Sequence, residues 1–240
     1  MPTVLWLLLA ATAAPAAAAA DSPLPTALVI VDIQNFYFAG GRLPLERPLE
    51  ASATARVVLD RFRSLHWPVI HVQHLPRGVE LPDPDIADAA YRIHPSVKPL
   101  PGETVIGKHH ANAFRDTQLL AELQRRQVQR VVLCGMQTHM CVEATARAAA
   151  DAGFEVVVLQ DACATRALAF GGVALSAEQV HAAALASLQS AYATVLPAAA
   201  FLATLPLPST PGQPLQPRHP PSFAEEFSGC FVDSPHRHGD

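Results

Sequence analysis

One of the chain's four cysteines lies where a thiol can act as a nucleophile. Cys141 sits in the run Cys134-Gly-Met-Gln-Thr-His-Met-Cys141-Val142, between an apolar strand-like segment and an Ala-rich helical one. With Thr138 read as the helix N-cap, Cys141 falls at N3. The unpaired amides and the dipole of a first helical turn stabilise an anion there. That favours the thiolate, the reactive form of cysteine. The same amides can hold a developing oxyanion. The competing reading is a cysteine buried against a sheet, where free cysteine is common.

Two further residues extend the pattern. Asp32 ends the apolar run Ala27–Val31. A carboxylate there is poorly solvated, which suits general acid–base work. It also suits a cap, a metal ligand or a phospho-acceptor. A dehalogenase-like pair of aspartates is disfavoured, because position 34 is Gln34. Lys108 closes the run Val105-Ile-Gly-Lys108. A lone lysine is ordinarily a solvated surface group, but at a strand end beside Asp32 and Cys141 it supports both anions. Cysteine hydrolases often use a histidine base. His71, His74, His94, His109, His110 and His139 are available, and spacing singles out none of them.

The elements that must position these residues alternate. Short, branched, continuous apolar runs at Ala27–Val31, Val69–Val72, Val105–Ile106, Val131–Cys134 and Val156–Leu159 predict buried parallel strands, with Ala193–Leu196 as the last. Helical patterns lie between them: Leu49–His66, with Val58, Phe62 and Leu65 on one face; Asp116–Arg126, capped by Asp116; His139–Ala152, stopped by Gly153; and Glu178–Gln189. Alternation of this kind predicts an α/β fold, a mostly parallel six-stranded sheet with helices on both faces. Ligands gather at the carboxyl ends of such strands. Asp32, Lys108 and the Gly135–Cys141 loop all lie just beyond predicted strand ends.

At 240 residues and 50% hydrophobic, the chain can bury a substantial core. Its formal charge is −4, and lysine and arginine are scattered. That pattern argues against a nucleic-acid partner. Residues 1–20 read as a secretory signal peptide. An apolar stretch from Leu5 runs on as an Ala-rich segment, no charge precedes Asp21, and Ala18-Ala19-Ala20 fits a small-x-small cleavage rule. Met1-Pro2-Thr3 lacks the usual Lys or Arg. Cleavage predicts a periplasmic or secreted protein without stable membrane insertion. A leader that is not a signal predicts a cytoplasmic one. Residues 21–205 form the predicted domain. Residues 206–240, rich in Pro and His, lack core-forming composition. Cys134 and Cys163 read as buried hydrophobes, Cys230 lies in the tail, and the lack of a CxxC gives zinc little support.

Three motifs in this order resemble the isochorismatase-like cysteine hydrolases, the superfamily of nicotinamidase, N-carbamoylsarcosine amidase and ureidoacrylate amidohydrolase. They are Asp32-Ile-Gln-Asn-Phe-Tyr-Phe-Ala-Gly-Gly41, Val105-Ile-Gly-Lys108 with Asn112-Ala-Phe114, and Cys134 through Val142. The resemblance runs from about Ala27 to Leu196. It implies a three-layer, Rossmann-like fold in which Cys141 attacks a carbonyl carbon, Asp32 shuttles the proton and Lys108 orients Asp32. It also implies a cis peptide at Met136-Gln137, an oxyanion hole from the amides of Gln137 and Cys141, and a homo-oligomer. Phe36, Phe38 and His94 would line the substrate pocket, and Trp67 would be core. True isochorismatases lack the cysteine, so Cys141 favours C–N hydrolysis of a small molecule. Nicotinamidases carry an Asp-x-His metal cluster. Here the region reads His71-Val-Gln-His74, so the expected site has no metal and no cofactor. A non-catalytic binding or thiol redox-sensing protein, an isochorismatase-type hydrolase, and a metal-dependent hydrolase using His71 and His74 remain alternatives.

Overall fold

In the computed structural model, the residues described are 24–76, 78–79 and 88–207. The expected signal peptide and most of the expected tail, including Cys230, lie outside them. Six strands form one sheet: β1 (Thr26–Val31), β2 (Val69–His74), β3 (Thr104–Lys108), β4 (Arg130–Met136), β5 (Glu155–Ala164) and, after a hairpin described below, β8 (Thr194–Leu196). Their order is β3-β2-β1-β4-β5-β8, with every pairing parallel. Alternate residues of β1 serve opposite faces. Leu28 and Ile30 join one core cluster, and Ala27, Val29 and Val31 join the other. Burial on both faces explains why the strands read as continuous apolar runs.

Among the described residues, five α-helices cover the two faces. Helices α1 (Pro48–Ser64) and α5 (Ala198–Ala203) pack on the Leu28–Ile30 side through Val58, Phe62 and Phe201. Helices α2 (Leu119–Arg125), α3 (Glu143–Asp151) and α4 (Ala177–Ala191) cover the other through Leu123, Ala146 and Leu188. Trp67 is half-buried and meets Phe62 edge-on at 5.5 Å. Proline at the first position of α1 presets its backbone. Ser176 and Gln179 close a capping box on α4.

Three local expectations need correction. Helix α2 starts at Leu119 rather than Asp116. Asp116 adopts a left-handed conformation (φ 55°), and the Thr117 hydroxyl takes the Leu119 amide at 3.2 Å. Strand β5 does not stop at Leu159. It continues to Ala164 past an irregularity in its register with β4, and Asp161 in that stretch accepts the Ala198 amide at the start of α5 (2.8 Å). Residues Leu168–Phe170 (β6) and Val173–Leu175 (β7) form an antiparallel hairpin that the helix-strand alternation did not suggest. Gly171 and Gly172 both have positive φ, as the tightest hairpin turns demand.

The sheet order reverses direction between β1 and β4. In open parallel sheets this switch point leaves a crevice beyond the carboxyl ends of the strands. Asp32 follows β1 there, and the Cys141 segment follows β4.

Candidate active site

Each reactive side chain is delivered by a strand end. The backbone leaves β1 through Asp32 in a left-handed conformation (φ 51°), which aspartate tolerates better than most residues. Lys108 is the last residue of β3 and reaches across β2. Its ammonium stands 2.6 Å from Asp32 Oδ2, with both side chains fully buried. It donates to the His110 carbonyl at 3.0 Å and lies 3.3 Å from His74 Nδ1. Burial alone would push the lysine down, but Asp32 and Cys141 outweigh it and raise Lys108 above its ordinary value. The lysine is therefore a fixed cation.

Gln34 fastens the loop after β1 to the end of β2. Its Oε1 accepts the His74 amide, and its Nε2 donates to the His74 carbonyl, both at 2.9 Å. A second bond reaches the Tyr91 carbonyl. The fully buried Gln34 thus completes a backbone-like ladder where β2 ends.

Strand β4 meets β1 closely. A Cβ on Gly135, whose φ is +136°, would lie 1.9 Å from the Val31 carbonyl oxygen, so only glycine fits next to Asp32. The Met136–Gln137 peptide bond is cis. A π turn, Thr138–Val142, follows and leads into α3. The Gln137 carbonyl accepts from the amides of Met140 and Val142, on either side of Cys141. Wide turns of this kind are frequent at functional sites.

This geometry corrects the sequence expectation for Cys141. It is the fourth residue of a π turn, not N3 behind a Thr138 cap, and the Thr138 hydroxyl faces His181 instead. Nor is the resting thiol acidified. Burial, then the charge of Asp32, push it up to about 12, and Lys108 only partly opposes them. Cys141 rests as a thiol beside a carboxylate.

Cys141 Sγ, an Asp32 oxygen and a His74 ring nitrogen lie within 4.8 Å of one another. These are ligand types for a soft divalent ion, but the Lys108 ammonium already fills the cation's place among them. His71 cannot join His74, because residues three apart on a strand face opposite sides. Its Nε2 is bonded to Glu103 at 2.9 Å.

Of the expected pocket residues, Phe38 and His94 stack on each other, with centroids 3.7 Å apart, and His94 Nδ1 is engaged by Ser96. Phe36 packs between Tyr37 and Tyr91. Between the two phenylalanines, Tyr37 is buried close to Asp32, Cys141 and the Gln137 side chain. Burial first, then Asp32 and Cys141, raise its hydroxyl far above the ordinary tyrosine range, so it stays a neutral phenol.

The isochorismatase domain model matches residues 26–200. The chain belongs to the isochorismatase family. An uncharacterised isochorismatase family protein of Bacillus subtilis, YddQ, is 42% identical over 179 residues, covering 75% of this chain and 99% of that protein. A streptothricin hydrolase of Streptomyces noursei is 35% identical over 141 residues, 58% of this chain and 49% of that protein. The crystal structure of a putative isochorismatase hydrolase from Oleispira antarctica superposes with a TM-score of 0.69 at 39% identity, covering 76% and 98% of the two chains. The protein is accordingly a hydrolase of the isochorismatase-like superfamily, and its three-layer α/β architecture is that family's fold.

Proposed function

We propose that this isochorismatase-family hydrolase cleaves a C–N bond of a small amide or ureide through a thioester on Cys141. The carrying observation is the buried thiol next to an ion-paired Asp32–Lys108. A thiol held near 12 needs a base, and Asp32 is within reach of its proton. Asp32 takes that proton as Sγ attacks the carbonyl carbon. The amides of Gln137 and Cys141 receive the oxyanion. On collapse the C–N bond breaks and protonated Asp32 gives its proton to the leaving nitrogen. A water then surrenders a proton to Asp32 and attacks the thioester. The C–S bond then breaks, protonated Asp32 returns its proton to Sγ, and the acid departs with the thiol and the carboxylate restored. Lys108 remains charged throughout and keeps the Asp32 carboxylate oriented.

The chain reads as exported after cleavage near Ala20, acting on an extracytoplasmic small molecule as a homo-oligomer. The test is ammonia release from a panel of small amides and ureides by protein beginning at Asp21. Turnover that is lost in Cys141→Ala supports the proposal. Full turnover in that variant would sink it.

A further inference from the structure

Single π turns inside helices are rare and are frequent at functional sites. Two side-chain hydrogen bonds from consecutive residues anchor the turn that carries Cys141. The Thr138 hydroxyl meets His181 Nδ1 at 2.9 Å, and His139 Nδ1 meets the Thr165 hydroxyl at 2.5 Å. They tie the turn to different elements, α4 and the segment just after β5. His181 also lies close to the backbone of Gln160, in the irregular stretch of β5. A neutral imidazole has one acceptor nitrogen, and with Nδ1 in that role Thr138 O–H donates to it.

His181 is half-buried and lines a cleft of about 990 Å³ together with Thr165, Arg166 and Ser176. Thr138, by contrast, is fully buried, so its hydroxyl needs a partner within the protein.

We infer that His181 is a positioning residue: through Thr138 it fixes the π turn so that Cys141 Sγ meets Asp32 and the substrate carbonyl correctly. It touches none of the reacting atoms. This rests on the cysteine-hydrolase reading given above and names a residue that serves that site.

The experiment compares His181→Leu, His181→Asn, His181→Gln and Thr138→Val in the otherwise unaltered chain. Asparagine restores an acceptor near the Nδ1 position, whereas glutamine places its polar end near Nε2. His181→Leu and Thr138→Val should each lower kcat by about 10- to 100-fold, the usual cost of a misplaced reacting group, with KM changed less than threefold. Their double variant should be no worse than either single one, because both remove the same bond. His181→Asn should recover most of kcat, and His181→Gln should not. A kcat for His181→Leu within twofold of wild type, or losses that multiply in the double variant, would overturn the inference. Where His181→Leu fails to fold, the comparison of asparagine with glutamine decides: equal rates refute positioning through Nδ1.

A second readout needs no substrate. The rate constant for alkylation of Cys141 by iodoacetamide, followed by peptide mass mapping, should change at least threefold in His181→Leu and remain near wild type in His181→Asn. A wild-type protein that hydrolyses nothing on the amide panel defeats the proposed function, while this alkylation comparison still judges the positioning role.

Discussion

A buried thiol between a carboxylate and an ammonium is a poor nucleophile until its proton moves. Cys141 is held near 12 rather than acidified, so reactivity must come from Asp32. Asp32→Asn should lower kcat by about 10²- to 10⁴-fold, the range for loss of a general acid–base. The same change strands the buried Lys108 charge, and denaturant unfolding should show a loss of about 3–5 kcal/mol. Retained kcat would assign proton transfer elsewhere. That Asp32, Lys108 and Cys141 come together was legible in the sequence because Asp32 and Lys108 close apolar runs and Cys141 follows one within a short loop. Tyr37, Gln34 and His74 were not. Their roles arise from contacts across elements, which no local spacing encodes: Gln34 bridges to a strand 40 positions away. The expectation of a helix-start dipole on Cys141 fails twice: the residue lies inside a π turn, and its thiol is raised rather than lowered. Burial and a neighbouring carboxylate raise it.

Strand β4 runs so close to β1 at Gly135 that a side chain has no room. A methyl there would meet backbone rather than a flexible side chain, so the strands must part and carry Asp32 away from Cys141. Gly135→Ala should cost about 1–3 kcal/mol of stability as overpacking, measurable in urea, and should lower kcat well beyond what that loss explains. Normal kcat would mean the separation of β1 and β4 does not set the site. The parallel strands were legible because burial on both faces leaves no polar alternation. The far half of β5 was hidden by Gln160-Asp161, whose polar character reads as a loop end but serves the start of α5. The β6–β7 hairpin had its signal in Gly171-Gly172 between apolar triplets. It was missed because the alternation of strand and helix left no place for it.

Across the molecule, opposite ends of the pH scale should unfold the protein for different reasons. At Glu103, burial pushes the carboxyl up, but Arg63, the Leu100 amide and His71 prevail and hold it at about 2, below its usual 4.5. A depressed carboxylate contributes stability above its unfolded value and loses it as pH falls through the folded one. Thermal unfolding of wild type should therefore weaken between about pH 4.5 and 2, and Glu103→Gln should flatten that decline. At the alkaline end, Cys141 and Cys163 are both raised from 9.0 to about 12, chiefly by burial. The unfolded chain loses these protons first, so stability should fall as pH rises from about 9 towards 12, and Cys163→Ala should soften the fall. An unchanged profile in either variant would contradict the assignment. The parallel six-stranded sheet, with the site at the carboxyl ends of its strands, followed from the alternation of elements together with the family resemblance; the strand order did not. The groups that set these pH limits did not, since they depend on burial that only the folded chain supplies.

The central claim is that Cys141 carries a covalent acyl group in turnover. Rapidly quenched reactions with an amide the protein hydrolyses, analysed by intact mass and peptide mapping, test it directly. The predicted result is an adduct of the acyl mass on Cys141, labile to hydroxylamine, formed with release of the nitrogen fragment and missing in Cys141→Ala. Turnover without any adduct, undiminished in Cys141→Ala, would contradict it.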